Sequence, residues 1–326
     1  MNKVLFVSEN SLDRAENLRA VWDAYDGPKE FSQGWDLYKA APKLGCRLAV
    51  IDTMPPYMPD KGGCKVLFVG HGIPGGKLYG FDQPIKYVDE RVRGQIDIAV
   101  CPSNRECAML AGQTGVPVER VLPLGMPRTD PLVSCRKGDG GTLLAGYRRA
   151  YLYVPTFRAG YEEAPLPHIC WGLLDSMLGE GEVFAVKRHY FTEEPLVDGE
   201  YGHIVELGNQ EPSIPYIMDC DVLLTDFSSI SWDAFIAGKP VVFGTDWADG
   251  YLRHRGMYYG YPEGYCDRWL ELQGNEGAML GILREAADKG MDERERELRR
   301  LSADACDGHS AERVAALAAE MAGGAR

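Results

Sequence analysis

Ser228 and Ser229 follow a short apolar run, Val222-Leu223-Leu224, and precede a stretch of helical character that ends at Gly238-Lys239-Pro240. Two hydroxyls and free backbone N–H groups at a helix start make an anion site, and phosphate is its usual occupant. The same serines could serve only as caps, and on this stretch alone the two readings stand level. Cations at other strand ends favour the anion. Arg158 closes Pro155-Thr156-Phe157-Arg158 after the apolar run Tyr151 to Val154. Lys187 and His189 follow Val183 to Val186, and alternation places both on one side of an extended segment. Arg158, Lys187 and His189 could neutralise a diphosphate and assist its departure as a leaving group. The alternative for Arg158 is a surface ion pair with Glu162 or Glu163. His71 stands between Gly70 and Gly72, directly after the apolar run Lys65 to Val69. An imidazole there could take a proton from a hydroxyl near neutral pH, unless it is only a structural histidine in a tight loop. Asp233 lies one helical turn beyond Ser229, within reach of a ribose.

Other motifs fail on inspection. Asp219-Cys220-Asp221 has the D-x-D form of metal-dependent glycosyltransferases, but it precedes a strand instead of ending one, so no metal is expected. Gly72 to Lys77 nearly matches a P-loop, yet His occupies position 71 and Leu78 stands where Ser or Thr would hold magnesium. H-E-x-x-H and G-x-S-x-G do not occur, so zincin and α/β-hydrolase readings lack their motifs.

These residues need elements to hold them. Apolar runs at Val4–Val7, Arg47–Ile51, Lys65–Val69, Ile96–Val100 and Arg120–Leu122 alternate with helical or turn-rich segments, the first helix being expected over Ser11 to Trp22. A second series begins at Tyr151, after a polar, Gly-rich stretch at 131–148 that reads as a linker. Strands alternating with helices predict parallel sheets covered on both faces. The expected architecture is α/β with two Rossmann-like domains, 1–145 and 146–326, facing each other across a cleft, and a helical tail from about Ala278 to Ala322. Ligands in such sheets sit outside the carboxyl ends of the strands, where the polar clusters lie.

The chain has 326 residues and a formal charge of −13, which argues against a nucleic-acid partner and requires positive charge to be gathered locally for any anion. Nine scattered cysteines without C-x-x-C fit reduced thiols in a cytoplasm. Met1 to Val7 reads as a strand, not a signal peptide, and no stretch approaches the ~20 apolar residues of a membrane span.

The clusters together resemble the CDP-glycerol glycerophosphotransferases of teichoic-acid and capsule synthesis. The resemblance is carried by His71-Gly72-Ile73-Pro74, Gly125-Met126-Pro127-Arg128-Thr129-Asp130, Pro155-Thr156-Phe157-Arg158, Lys187-Arg188-His189, Thr225-Asp226-Phe227-Ser228-Ser229 and Asp307-Gly308-His309-Ser310-Ala311-Glu312-Arg313, in the family's order. One departure is Tyr190, where the family has proline after the second histidine. The resemblance implies a GT-B fold, no cofactor or obligatory metal, and transfer of a polyol phosphate from a CDP-polyol donor to a hydroxyl acceptor with release of CMP. It implies that His71 is the base and that Thr156, Arg158, Lys187 and His189 contact the diphosphate. Ser228 and Ser229 would hold its distal part, with Gly72, Arg128, Thr225 and Asp226 as further binding positions. It also implies a lipid-linked acceptor and peripheral contact with the inner membrane face, for which the sequence offers no basic amphipathic helix. A GT-B glycosyltransferase or nucleotide-sugar epimerase acting on a UDP- or CMP-sugar would use the same anion site. A non-catalytic nucleotide-binding module would need neither His71 nor His189.

Overall fold

The structure is a computed structural model that describes residues 2–36, 38, 45–53, 61, 63–72, 94–158, 164–189, 191–254, 257 and 260–323. The chain divides into two compact units, Met1–Val133 with Leu301–Arg326, and Ser134–Arg300. Each is built on a six-stranded sheet in which every pairing is parallel.

The first sheet comprises β1 (Lys3–Ser8), β2 (Lys29–Gln33), β3 (Cys46–Ile51), β4 (Lys65–Phe68), β5 (Ile98–Cys101) and β6 (Val121–Pro123), in the order β2-β1-β3-β4-β5-β6. The central strands are apolar at successive positions because both faces are covered. Leu5, Ala49, Ile51 and Val66 face one layer, whereas Val4, Phe6, Leu48 and Val50 face another that contains Leu18, Val21, Val314 and Ala318. The strand β2 carries no apolar run. It is a sheet edge, so Lys29-Glu30-Phe31-Ser32-Gln33 needs only one apolar residue, and Glu30 pairs with Lys3 on β1 at 2.9 Å.

The C-terminal helix Ser310–Gly323 packs on this first sheet, whereas the boundaries expected from sequence place the whole tail with the second domain. A clasp explains the placement. The Asp130 carboxylate accepts the backbone N–H groups of Ser310 (2.9 Å) and Ala311 (2.7 Å), capping the helix from a distant loop. Arg313 donates to the carbonyls of Leu124 (3.1 Å) and Ala305 (2.6 Å) and pairs with Asp307. Gly125 has φ +88°, and a Cβ there would run into Ser310 and Ala305. The Asp307–Arg313 motif therefore fastens the end of the chain to the Gly125–Asp130 segment.

The second sheet comprises β7 (Arg149–Val154), β8 (Glu182–Lys187), β9 (Ile204–Leu207), β10 (Val222–Thr225), β11 (Val241–Gly244) and β12 (Trp269–Leu270), in the order β12-β11-β10-β7-β8-β9. Tyr151, Phe184, Val222 and Val242 pack with Met279, Leu280 and Leu283 of the helix Glu276–Lys289. Strand order reverses between β7 and β10, which makes their carboxyl ends the switch point where ligands enter such sheets. The stretch before β7 that reads as a linker is anchored to this unit. Asp219 accepts N–H groups from Gly138 (2.8 Å), Gly140 (3.0 Å) and Thr142 (2.7 Å), so the unit begins at Ser134 instead of position 146.

Candidate functional site

At the switch point of the second sheet, Thr225 is paired in register with Val154, and its buried hydroxyl donates to the Val154 carbonyl at 2.6 Å. The chain leaves β7 through Thr156 and Arg158, and leaves β10 at Asp226. The Asp226 carboxylate joins the two exits. One oxygen accepts the Thr156 N–H (2.8 Å) and the other pairs with the Arg158 guanidinium (2.5 Å). The Arg158 and Asp226 side chains are only 10% and 6% exposed, so this pair is held in low dielectric. Arg158 also donates to the Thr156 carbonyl (3.0 Å) and lies over the stacked rings of Phe227 and Tyr251, at 5.3 and 5.7 Å from their centroids. Thr225 and Asp226 thus act on the protein itself: Thr225 ties β10 to Val154, and Asp226 fixes Thr156 and Arg158. The alternative partners Glu162 and Glu163 lie outside the described residues. Part of the Arg158 charge is balanced by Asp226.

The helix that follows is Ile230–Ile236, seven residues long, so its dipole is small. Ser228 and Ser229 are half-buried before it. Ser229 makes no side-chain capping bond, and Ser228 Oγ accepts only a long contact from the Ile230 N–H at 3.4 Å. A capping hydroxyl accepts a backbone N–H and leaves its own hydrogen free, and the caps made here are weak: none from Ser229 and a long one from Ser228. Asp233 is fully buried within the helix and presents no surface to a ribose.

At the neighbouring end of β8, Lys187 is buried and its ammonium group donates to the Arg188 carbonyl at 3.3 Å. Arg188 points elsewhere, to Glu206 at 2.6 Å. His189 Nδ1 accepts the Phe191 N–H at 3.2 Å, so the neutral ring carries its hydrogen on Nε2, an assignment made from that bond. The ring stacks on Phe157 at 5.3 Å, which brings the ends of β7 and β8 together. Tyr190 lies outside the described residues.

In the first unit, β4 runs into Gly70, whose φ of +71° turns the chain immediately before His71. The Gly70 carbonyl accepts the Asn17 side-chain amide at 3.0 Å, and Asn17 Oδ1 accepts the Arg128 N–H at 2.9 Å. The Arg128 guanidinium pairs with Glu16 at 2.6 Å. His71 and Arg128, expected from sequence, are therefore brought into one cluster with Gly72, by two residues that no motif contains. Their signal was a helix boundary. The helix begins at Glu16, not Ser11, which puts Glu16 and Asn17 in its first turn, at the carboxyl edge of the sheet. His71 retains solvent access, yet desolvation by surrounding protein, and then the Arg128 charge, push its pKa below that of an ordinary imidazole, with Glu16 opposing. A ring kept neutral near pH 7 is in the form that accepts a proton. Residues 73–80, which contain most of the P-loop-like stretch, lie outside the described residues.

Asp219 and Asp221 sit at the opposite, amino end of β10. Thr142 Oγ1 donates to Asp219 at 2.8 Å in addition to the three N–H groups, and Asp221 accepts Lys137 Nζ (2.5 Å) and the Ala150 N–H (2.7 Å). Burial pushes the Asp219 carboxyl up, but the hydrogen bonds from Thr142, Gly138 and Gly140 outweigh it and hold the group below the usual aspartate range. These carboxylates are engaged in folding the 137–142 segment against the sheet.

Residues 41–319 match the protein family described as CDP-glycerol:poly(glycerophosphate) glycerophosphotransferase. The teichoic acid glycerol-phosphate primase of Bacillus subtilis (strain 168) is 27% identical over 176 residues, covering 53% of this chain and 45% of that protein. The teichoic acid ribitol-phosphate primase of Bacillus spizizenii is 25% identical over 243 residues, covering 66% of this chain and 61% of the relative. The chain thus spans roughly half the length of these curated relatives. The wall teichoic acid polymerase TagF shares the fold, with a TM-score of 0.76 at 16% identity over 98% of this chain and 88% of that one. No helix among the described residues is long and apolar enough to cross a membrane.

Proposed function

Because this chain belongs to the CDP-glycerol:poly(glycerophosphate) glycerophosphotransferase family, we propose that it moves a polyol phosphate from a CDP-activated donor to a hydroxyl of a cell-surface glycopolymer or its lipid-linked precursor, releasing CMP. Catalysis would take place in the cytoplasm, at the inner face of the membrane where the acceptor is anchored. The observation that carries the reading is the switch point of the second sheet, where Asp226 holds Thr156 and Arg158 in place two residues before a pair of half-buried hydroxyls that cap their own helix weakly or not at all. The diphosphate would be met there by Ser228 and Ser229, with Arg158, Lys187 and His189 offsetting the charge that grows on departing CMP. His71 would take the proton of the attacking hydroxyl.

The test is CMP release from CDP-glycerol and CDP-ribitol, with a short lipid-carried poly(glycerol phosphate) chain as acceptor and UDP- and CMP-sugars run in parallel. Turnover confined to the nucleotide sugars would overturn the proposal. CMP is expected to raise the melting temperature, and Ser228→Ala combined with Ser229→Ala to shrink that rise, since bound ligand stabilises by mass action. An undiminished shift in the double variant would return the serines to capping. Activity is also expected to persist in EDTA, because the D-x-D carboxylates are occupied by N–H, hydroxyl and ammonium donors. Loss in EDTA with recovery on adding magnesium would contradict that.

A further inference from the structure

We propose that the first turn of the helix Glu16–Ala24 is the positioning element of the His71 base, with Asn17 fixing the loop that carries His71 and Glu16 fixing Arg128 beside it. The inference rests on the reading of His71 as the base but assigns new residues, neither of which lies in a motif.

The geometry is specific. Asn17 is 2% exposed, so its amide must find partners inside the protein. Both ends of the amide go to strand-exit loops instead of its own helix: the NH2 to the Gly70 carbonyl at 3.0 Å and the oxygen to the Arg128 N–H at 2.9 Å. Gly70 is the residue immediately before His71, and its left-handed φ of +71° leaves the turn without a side chain to steady it. The Asn17 amide therefore supplies a restraint that the glycine loop lacks. Glu16, the adjacent residue, sets the other boundary. Its carboxylate holds the Arg128 guanidinium at 2.6 Å, with the two side chains 25% and 13% exposed. Arg128 and Glu16 are the charged groups among the described residues that act on the His71 ring, with opposite signs. One helical turn thus sets both where the imidazole stands and what charge it feels.

Neither residue need touch substrate for this to matter. A general base works only within hydrogen-bond reach of the proton it takes, and a displacement of about 1 Å can cost on the order of 10²-fold in rate. Asn17→Asp keeps the shape and the acceptor for the Arg128 N–H but loses the donor to Gly70. It is expected to lower kcat by about 10–10²-fold with the KM for CDP-glycerol unchanged. Glu16→Gln keeps the backbone restraint and removes a charge that favours imidazolium. It is expected to lower the His71 pKa, moving the acid limb of the kcat/KM profile to lower pH; the same shift should be visible by NMR titration of the imidazole, which requires no acceptor. In a His71→Ala background, Asn17→Asp should add no further loss, because it acts through the ring.

Parental kcat in Asn17→Asp, or an unmoved His71 titration in Glu16→Gln, would overturn the positioning role. Undiminished turnover in His71→Ala alone would instead remove the base on which the inference rests, so the two failures are distinguishable. If Asn17→Asp is poorly folded, Glu16→Gln and its titration decide the matter, since that change is closer to the surface and conserves size.

Discussion

Replacing His71 by alanine is expected to reduce turnover roughly 10²–10⁴-fold while leaving the affinity for CMP and CDP-glycerol unchanged. The expectation follows from the different tasks proposed for the two units. The residues proposed to hold the donor diphosphate, from Thr156 to Ser229, all belong to Ser134–Arg300, whereas His71 belongs to the other unit. Removing it should leave the donor ligands intact. A polyol hydroxyl is a poor nucleophile until its proton is taken, and desolvation together with Arg128 keeps the His71 ring below the ordinary imidazole pKa, hence neutral and able to accept at pH 7. The same lowered pKa predicts that the midpoint of the acid limb of kcat/KM lies below that of an ordinary imidazole, about pH 6.5. Steady-state CMP release across pH, with nucleotide affinity measured by calorimetry, checks both. A variant that loses donor binding but turns over normally at saturation would make His71 a donor ligand.

The sequence exposes some of this arrangement more readily than the rest, for physical reasons. Central parallel strands are buried on both faces, so runs such as Val4–Val7, Val222–Leu224 and Val241–Phe243 announce themselves by apolar continuity. The edge strand β2 is half-solvated and shows no such run. His71, Thr156, Arg158, Lys187, His189 and the two serines are visible because each lies within five residues of the end of such a run. What each residue bonds to is not visible. Asp226 and Thr225 look like ligands in a motif, yet their side chains close the protein's own contacts across β7 and β10. Asp233 fits a helical spacing argument, but spacing along a helix does not say which face is buried, and here every residue of Ile230–Ile236 is. Asn17 joins Gly70 and Arg128 across 53 and 111 positions of sequence, a separation at which a hydrogen bond leaves no local trace. The Gly-rich stretch after Cys135 reads as a linker for a related reason: its glycines serve to let backbone N–H groups converge on Asp219, which lies about eighty residues downstream.

Asp226→Ala is expected to be the most damaging single change in the second unit, costing about 3–5 kcal/mol of stability. The aspartate accepts the Thr156 N–H and balances an arginine whose side chain is 10% exposed. Alanine would leave a largely buried cation uncompensated and a partly buried N–H without its acceptor, and each is penalised by lost solvation that nothing replaces. Asp226→Asn should cost less, because it can still accept from Thr156 and loses only the charge. Folding and function then separate in a double variant. Arg158→Met with Asp226→Asn removes both charges of the pair but keeps an acceptor for the Thr156 N–H, so neither a buried charge nor that N–H is left uncompensated, yet it removes the cation proposed to meet the diphosphate. The double variant should therefore melt near the parent while binding CDP-glycerol more weakly and releasing CMP more slowly. Urea unfolding of the single variants and nucleotide titration of the double one provide the measurements. Parental stability in Asp226→Ala would mean that the carboxylate does not hold the two strand exits. Parental donor affinity in the stable double variant would mean that Arg158 braces the switch point through Phe227, Tyr251 and the Thr156 carbonyl, and that the diphosphate is met by Lys187, His189 and the two serines alone.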